Sequence, residues 1–228
     1  MTYTLDAAGT LIDVRWDPVR VALDCALEVG LDLDEEPAGA MYNHLLRSGW
    51  GHYQQLNLTR DPDICDAWWS DLTQTWFERI GQDTGCLGAY KEVLMRRLYT
   101  PGSDIFLLYE DTIPCLEALK AAGHRMAILS NWDYSLHRVV EMLGIRDYFD
   151  VVIASLEEGP EKPDPALFQI ALDRLGVQRE DTIHVGDNPL DDLRGAQDFG
   201  MRALLLDRSA IDPRPPVINT LRSVGVGG

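Results

Sequence analysis

Positive charge is scarce in this chain: 20 Lys and Arg stand against 37 Asp and Glu, a net of −17 over 228 residues. Only Lys91, Lys120 and Lys162 are lysines. So acidic a surface repels nucleic-acid phosphates, and no basic patch interrupts it, so nucleic acid is not an expected partner. The same field opposes small anions, so a phosphate site here needs local positive charge from a metal or a placed lysine. No apolar run approaches the ~20 residues that span a bilayer. The opening Met1-Thr2-Tyr3-Thr4-Leu5-Asp6 lacks the basic stretch and apolar run of a secretory signal. A cytoplasmic protein without membrane contact is expected. Cys25, Cys65, Cys86 and Cys115 are widely spaced and form no CxxC pair. Neither zinc nor a disulfide framework is expected, and all four read as buried free thiols. Internal repeats and low-complexity tracts are absent. What remains, 46% hydrophobic and 25% charged residues, is an ordinary globular composition that excludes a disordered or collagen-like chain. The length suits one large domain or one domain with a small partner.

The C-terminal half alternates short apolar runs with amphipathic stretches. His124–Ser130, Val151–Ala154, Thr182–Val185 and Ala203–Leu206 read as strands. Between them, Leu136, Val139, Val140 and Leu143 share one helix face before Gly144. Leu167, Ala171 and Leu175 share another in a helix from Asp164, closed by Gly176. A further helix stops at Gly123, and a short one ends at Gly200. Apolar strands alternating with such helices indicate a doubly wound, Rossmann-like parallel sheet of the α/β class. Tyr3-Thr4-Leu5 adds one more strand, ending at Asp6. Ser130, Lys162 and Asp187 follow at about one βαβ unit (~30 residues) each, but the gap from Asp6 to Ser130 is several times that. The surplus is helical: Asp17-Pro18 and Asp61-Pro62 look like N-caps with Pro at the first position. Cys65, Trp68, Trp69, Leu72 and Trp76 make an apolar stripe, although adjacent Trp68 and Trp69 are not expected to share a face. We therefore expect an α/β core of residues 1–13 and 101–228 and an inserted helical cap of residues 14–100. Ser48–Tyr53 reads as a flexible aromatic loop, a candidate substrate-facing segment, and Val224–Gly228 as a frayed tail.

Ligands of a doubly wound sheet bind at the carboxyl ends of its strands. The residues just past each strand are Asp6, Ser130 with Asn131, Lys162 and Asp187. Two carboxylates, a hydroxyl and a lysine on one edge suit a phosphate with a divalent cation, since Mg²⁺ takes one or two carboxylates plus phosphate oxygens. Taken singly, each residue has a plainer reading: a strand-end cap, a helix N-cap pair at Ser130-Asn131, an exposed loop lysine, a turn aspartate. His184, inside a strand, reads as packed.

At these positions the chain resembles the haloacid dehalogenase superfamily of hydrolases over essentially its whole length. Leu5-Asp6-Ala7-Ala8-Gly9-Thr10-Leu11 is similar to the first motif and Ile128-Leu129-Ser130-Asn131 to the second. Gly159-Pro160-Glu161-Lys162-Pro163-Asp164-Pro165 is similar to the third, and His184-Val185-Gly186-Asp187 through Asp192 to the fourth. The resemblance implies Asp6 as nucleophile, with Ser130 and Lys162 as its catalytic partners. It assigns Thr10 and Asn131 to substrate binding, and Mg²⁺ to Asp6, the Ala8 carbonyl and Asp187. Asp192 is chosen over Asp191 as the supporting acidic residue, because the family's second aspartate falls five after the first. A small phosphorylated substrate and a monomer or homodimer are expected.

One departure bears on mechanism. The superfamily's phosphatases carry a second aspartate, an acid–base catalyst, where this chain has Ala8. Loss of positioned acid–base catalysis costs ~10²–10⁴-fold in rate, while a backbone carbonyl ligand survives the change. The metal-free dehalogenases lose the first aspartate of the fourth motif, and Asp187 is present here. The phosphonoacetaldehyde hydrolases do have Ala, but use a cap lysine as Schiff base, and Lys91 is the only lysine in this cap. A response-regulator receiver would carry its phosphorylated aspartate mid-chain. Two expectations stand: a Mg²⁺-dependent phosphatase of small metabolites, or a weakened relative that binds Mg²⁺ and a phosphorylated ligand or partner.

Overall fold

The computed structural model describes residues 1–225. It divides into an α/β unit, Met1–Val14 together with the chain from Leu107 onward, and a helical unit, Arg15–Phe106. The chain opens with β1 (Thr2–Leu5) and β2 (Ile12–Val14). It then passes through α1 (Pro18–Glu28), α2 (Glu35–Asn57), α3 (Pro62–Arg79) and α4 (Leu87–Tyr99). It returns through β3 (Phe106–Leu108), which pairs with β2 in a two-stranded sheet. There follow α5 (Thr112–Ala121), β4 (Arg125–Ser130), α6 (Ser135–Met142), β5 (Val151–Ala154), α7 (Ser155–Glu158) and α8 (Pro165–Leu175). Then come β6 (Thr182–Gly186), a π-helical turn (Pro189–Arg194), α9 (Gly195–Asp198), β7 (Arg202–Leu206) and β8 (Val217–Ile218).

The main sheet has the order β5-β4-β1-β6-β7-β8, parallel throughout. Every residue of β1 and all but the first of β4 are buried, as strands covered on both faces require. Leu129, Ile153, Leu167, Phe168, Ala171 and Ala203 pack one core cluster against α8. Crossovers run outward from β4 to β5 on one side and from β6 to β7 on the other. The crevice at the carboxyl ends therefore opens around β1, in register between Ile128 of β4 and Val185 of β6.

Local signals place the helices. The Asp17 carboxylate accepts the Val19 and Arg20 amides ahead of Pro18, Asp61 accepts that of Asp63, and Asp164 that of Ala166. Gly176 ends α8 in the left-handed region at φ 64°.

Several expectations change. Ser48–Tyr53 is not a loop but the middle of α2. Gly49 sits within that helix where a Cβ would lie 2.8 Å from the Trp68 ring, so the glycine serves packing rather than a turn. Trp68 and Trp69 do meet a common neighbour: their rings lie 4.6 and 5.4 Å from buried Tyr53 and 5.0 Å from each other. Long indoles reach across the rotation that separates adjacent helix positions. Ser130-Asn131 caps no helix, since α6 begins at Ser135. Cys86 is half-buried, unlike the other three cysteines. Val224 is buried, so the expected fraying does not begin there; residues 226–228 of that tail lie outside the described residues. No helix among the described residues is long and apolar enough to cross a membrane.

The stretch after β7 is fastened by Asp111, 3% exposed at the head of α5. It accepts from Arg208, from the Thr220 hydroxyl (2.8 Å) and from the Leu221 amide (2.9 Å). Burial alone would raise this carboxyl, but those hydrogen bonds outweigh it and hold it below the ordinary carboxylate range. A depressed folded-state value contributes stability above the unfolded value and loses it as pH falls through the folded one. In urea unfolding across pH 7 to 2, the advantage of the parent over Asp111→Asn is therefore expected to be full near neutrality. It should shrink below about pH 3.9, the unfolded aspartate value. A gap independent of pH would refute this.

Candidate active site

Parallel registry brings residues distant in sequence to the carboxyl edge of β1. The Asp6 amide donates to the Val185 carbonyl at 2.9 Å, continuing the ladder one step past β1. Asp6 Oδ1 accepts from Ser130 Oγ at 2.9 Å, at the end of β4, and from Lys162 Nζ at 2.7 Å. Lys162 also donates to Asp192 Oδ1 at 2.6 Å, with all four residues 6% exposed or less. Asn131 grips the backbone of Lys162 at both ends: its Oδ1 accepts the lysine amide at 2.8 Å, and its Nδ2 donates to the lysine carbonyl at 2.9 Å. Thr10 Oγ1 donates to Asp187 Oδ1 at 3.1 Å, and Asp187 itself is exposed.

Asp192 is held from three sides. Its Oδ2 accepts the Asn188 amide at 2.9 Å, and its Oδ1 lies 3.0 Å from His184 Nε2 as well as on Lys162. A carboxylate only accepts, so Nε2 carries the proton of that contact, and Nδ1 lies 2.9 Å from Thr4 Oγ1. His184 is fully buried and edge-on to Phe168, so it is packed as expected, yet it also orients Asp192.

Electrostatics follow from burial and pairing. Burial raises the Asp6 carboxyl; the Lys162 charge opposes this and the Asp192 charge adds to it. Asp187 is raised by desolvation and by the Asp6 charge. Burial also pushes Asp192 up, but the His184 hydrogen bond and Lys162 bring it well below the usual range. Burial disfavours charge on Lys162, and the two carboxylates more than restore it.

Carboxylate oxygens of Asp6, Asp187 and Asp192 lie within 4.8 Å of one another, against the single ammonium of Lys162. That excess of negative charge, with hard oxygen donors, fits a small divalent cation. The backbone is shaped for such crowding. At Gly9, φ is 76°, and a Cβ would sit 2.4 Å from Asp187 Oδ2; at Gly186 a Cβ would lie 2.1 Å from Asp192 Cγ. Of the three, Asp6 and Asp187 could hold such a cation most readily, since both oxygens of Asp192 already have donors.

The family model of haloacid dehalogenase-like hydrolases matches residues 1–200. The human haloacid dehalogenase-like hydrolase domain-containing protein 3 is 34% identical over 213 residues, 92% of this chain and 83% of that protein. A phosphoserine phosphatase from Thermus thermophilus is 38% identical over 188 residues, 81% of this chain and 73% of its own. Among solved structures, a 2-haloacid dehalogenase from Pseudomonas syringae aligns at a TM-score of 0.65 with 26% identity, over 98% of this chain and 96% of that one. The chain belongs to the haloacid dehalogenase-like hydrolase family.

The structure thus gathers Asp6, Ser130, Lys162, Asp187, Asp192, Thr10 and Asn131 at one strand edge, with Ala8 in the turn that follows β1. Sequence reasoning passed over the polar roles of Thr4, His184 and Arg208. His184 carried a signal, a titratable residue inside an apolar strand; Arg208 carried none.

Breaking a buried pair leaves an uncompensated charge, at a cost of about 3–5 kcal/mol. Lys162→Met is expected to lose stability of that order in urea unfolding, because Asp6 and Asp192 lose their shared cation. An unchanged midpoint would mean the pairing is not structural.

Proposed function

We propose that this protein is a Mg²⁺-dependent phosphatase of small phosphorylated metabolites, with the helical unit Arg15–Phe106 as its cap. The observation that carries this reading is the position of Asp6: buried at a strand end, with Oδ1 fixed by Ser130 and Lys162 and beside the excess carboxylate charge of Asp187. With Oδ1 so held, attack falls to Oδ2. It forms a bond to phosphorus as the bond to the leaving oxygen breaks, giving an aspartyl-phosphate on Asp6. Water then attacks that phosphorus, releases phosphate and restores the carboxylate. Lys162 and Ser130 stay in place throughout and offset charge on the oxygens around phosphorus. Asp6, the Ala8 carbonyl and Asp187 would hold Mg²⁺, with Asp192 in support; when bound it supplies positive charge for the phosphoryl oxygens. The phosphatase names among the relatives support this substrate class.

The expected outcome of a panel of phosphorylated metabolites, assayed with and without Mg²⁺, is Mg²⁺-dependent phosphate release. Asp6→Asn should abolish it while thermal stability stays close to the parent's. Full activity in that variant would sink the assignment.

Ala8 favours a second reading, a weakened member of the family that binds Mg²⁺ and a phosphorylated ligand without efficient turnover. A methyl group cannot protonate a leaving oxygen. Ala8→Asp separates the two: if only the acid is missing, turnover should rise by about tenfold or more, a floor below the usual acid–base range. The gain should be greater for alkyl phosphates, which need protonation, than for an activated aryl phosphate. Two inert proteins that still bind Mg²⁺ and phosphate would favour the binding role, and a fall from good parental activity would mean another acid–base group.

A further inference from the structure

Arg208 lies two residues past β7, outside all four motifs, yet its guanidinium ties three parts of the α/β unit together. Nη1 donates to Asp111 Oδ2 at 2.9 Å, and Nη2 donates to Asp111 Oδ1 at 3.0 Å. Nη2 also donates to the Thr10 carbonyl at 2.9 Å, and the guanidinium carbon sits 3.9 Å from the centroid of the Tyr109 ring. Thr10 in turn gives its hydroxyl to Asp187 Oδ1. Asp111, fixed by Thr220 and the Leu221 amide, is thus linked through Arg208 and Thr10 to the carboxylate best exposed to a cation. A planar fork can serve two acceptors at set angles while stacked on a ring; an ammonium cannot.

We propose that Arg208 is a positioning residue, which sets the turn at Thr10 and through it aims Asp187 at the cation. The inference rests on the reading that Mg²⁺ binds at Asp6 and Asp187. Thr10 is the joint: its carbonyl takes the Arg208 donor and its hydroxyl holds the metal-side carboxylate. Charge and positioning pull in opposite directions here, which makes the idea testable by sign. A fixed cation near the site repels Mg²⁺, so removal of the Arg208 charge alone would tighten binding. Removal of a group that orients a ligand typically weakens metal affinity 10–100-fold.

Calorimetric titration of the full chain with Mg²⁺ alone, alongside thermal melts, decides between them. Arg208→Ala is expected to weaken Mg²⁺ binding about tenfold or more. Arg208→Lys should weaken it too; it keeps a charge beside Asp111, and so guards against a variant that simply fails to fold. Thr10→Val should show a comparable loss, and the double variant Arg208→Ala/Thr10→Val no more than the larger single effect, since both act through one joint. Thr220→Val takes a hydrogen bond from the same Asp111 and leaves Arg208 alone, so it should lower Tm without moving Mg²⁺ affinity. Equal or tighter Mg²⁺ binding in Arg208→Lys or Arg208→Ala, with only Tm reduced, would overturn the inference and leave the metal reading intact. A parent that binds no Mg²⁺ would overturn the metal reading itself, and the inference with it.

Discussion

Lys162 Nζ sits between two buried carboxylates, 2.7 Å from Asp6 and 2.6 Å from Asp192, and most of what surrounds it exists to keep it there. Ions taken out of water cost several kcal/mol each even after relaxation, and are tolerated only when paired and hydrogen-bonded. One ammonium serving two carboxylates leaves the cluster negative, so each remaining lone pair needs a donor. Ser130 supplies one to Asp6, His184 and the Asn188 amide supply two to Asp192, and Asn131 clamps the lysine's own backbone. Asp187, outside this set and exposed, accepts the Thr10 hydroxyl. The same charge balance that pairs Lys162 with both buried carboxylates leaves an excess of negative charge at the edge of β1.

Backbone shape is the second constraint. Three amides, those of Thr10, Leu11 and Ile12, converge on the Ala7 carbonyl, and the turn passes through Gly9 at positive φ. That turn packs the chain against Asp187, where a side chain on Gly9 would strike the carboxylate. Positive φ and close approach coincide at one residue, and both require glycine. Gly186 plays the equivalent steric role beneath Asp192. A carboxylate pair this crowded is held by what its neighbours lack as well as by what they donate.

The helical unit follows a different logic. Its interior is aromatic: Trp76 and Tyr53 are fully buried, Trp76 donates its indole N–H to the Ala38 carbonyl, and Tyr42 meets it edge-on at 5.2 Å. Glycines within α2 read locally as a loop, because propensity counts them as breakers. The purpose of one of them becomes visible only when Trp68 is seen lying against Gly49; Gly51 faces open space. Packing overrode propensity there.

Sequence alone marked the main strands and helices of the α/β unit and the sheet edge where the polar residues gather, while the helix through Ser48–Tyr53 escaped it. Strands of continuous apolar residues imply a parallel sheet, and a parallel sheet puts every residue that follows a strand at one edge, so Asp6, Ser130, Lys162 and Asp187 were legible before any coordinate. Asp17, Asp61, Asp164 and Gly176 were legible too, because caps act within three or four residues of themselves. Tertiary structure alone decided which of those edge residues pair, that Asp192 is occupied by Lys162 and His184, and that Arg208 joins Asp111 to Thr10. These are contacts between residues far apart along the chain, and a hydrogen bond across such a distance imposes no period or spacing on the residues that make it. Its only requirement is that two surfaces, each specified for other reasons, meet with a donor opposite an acceptor.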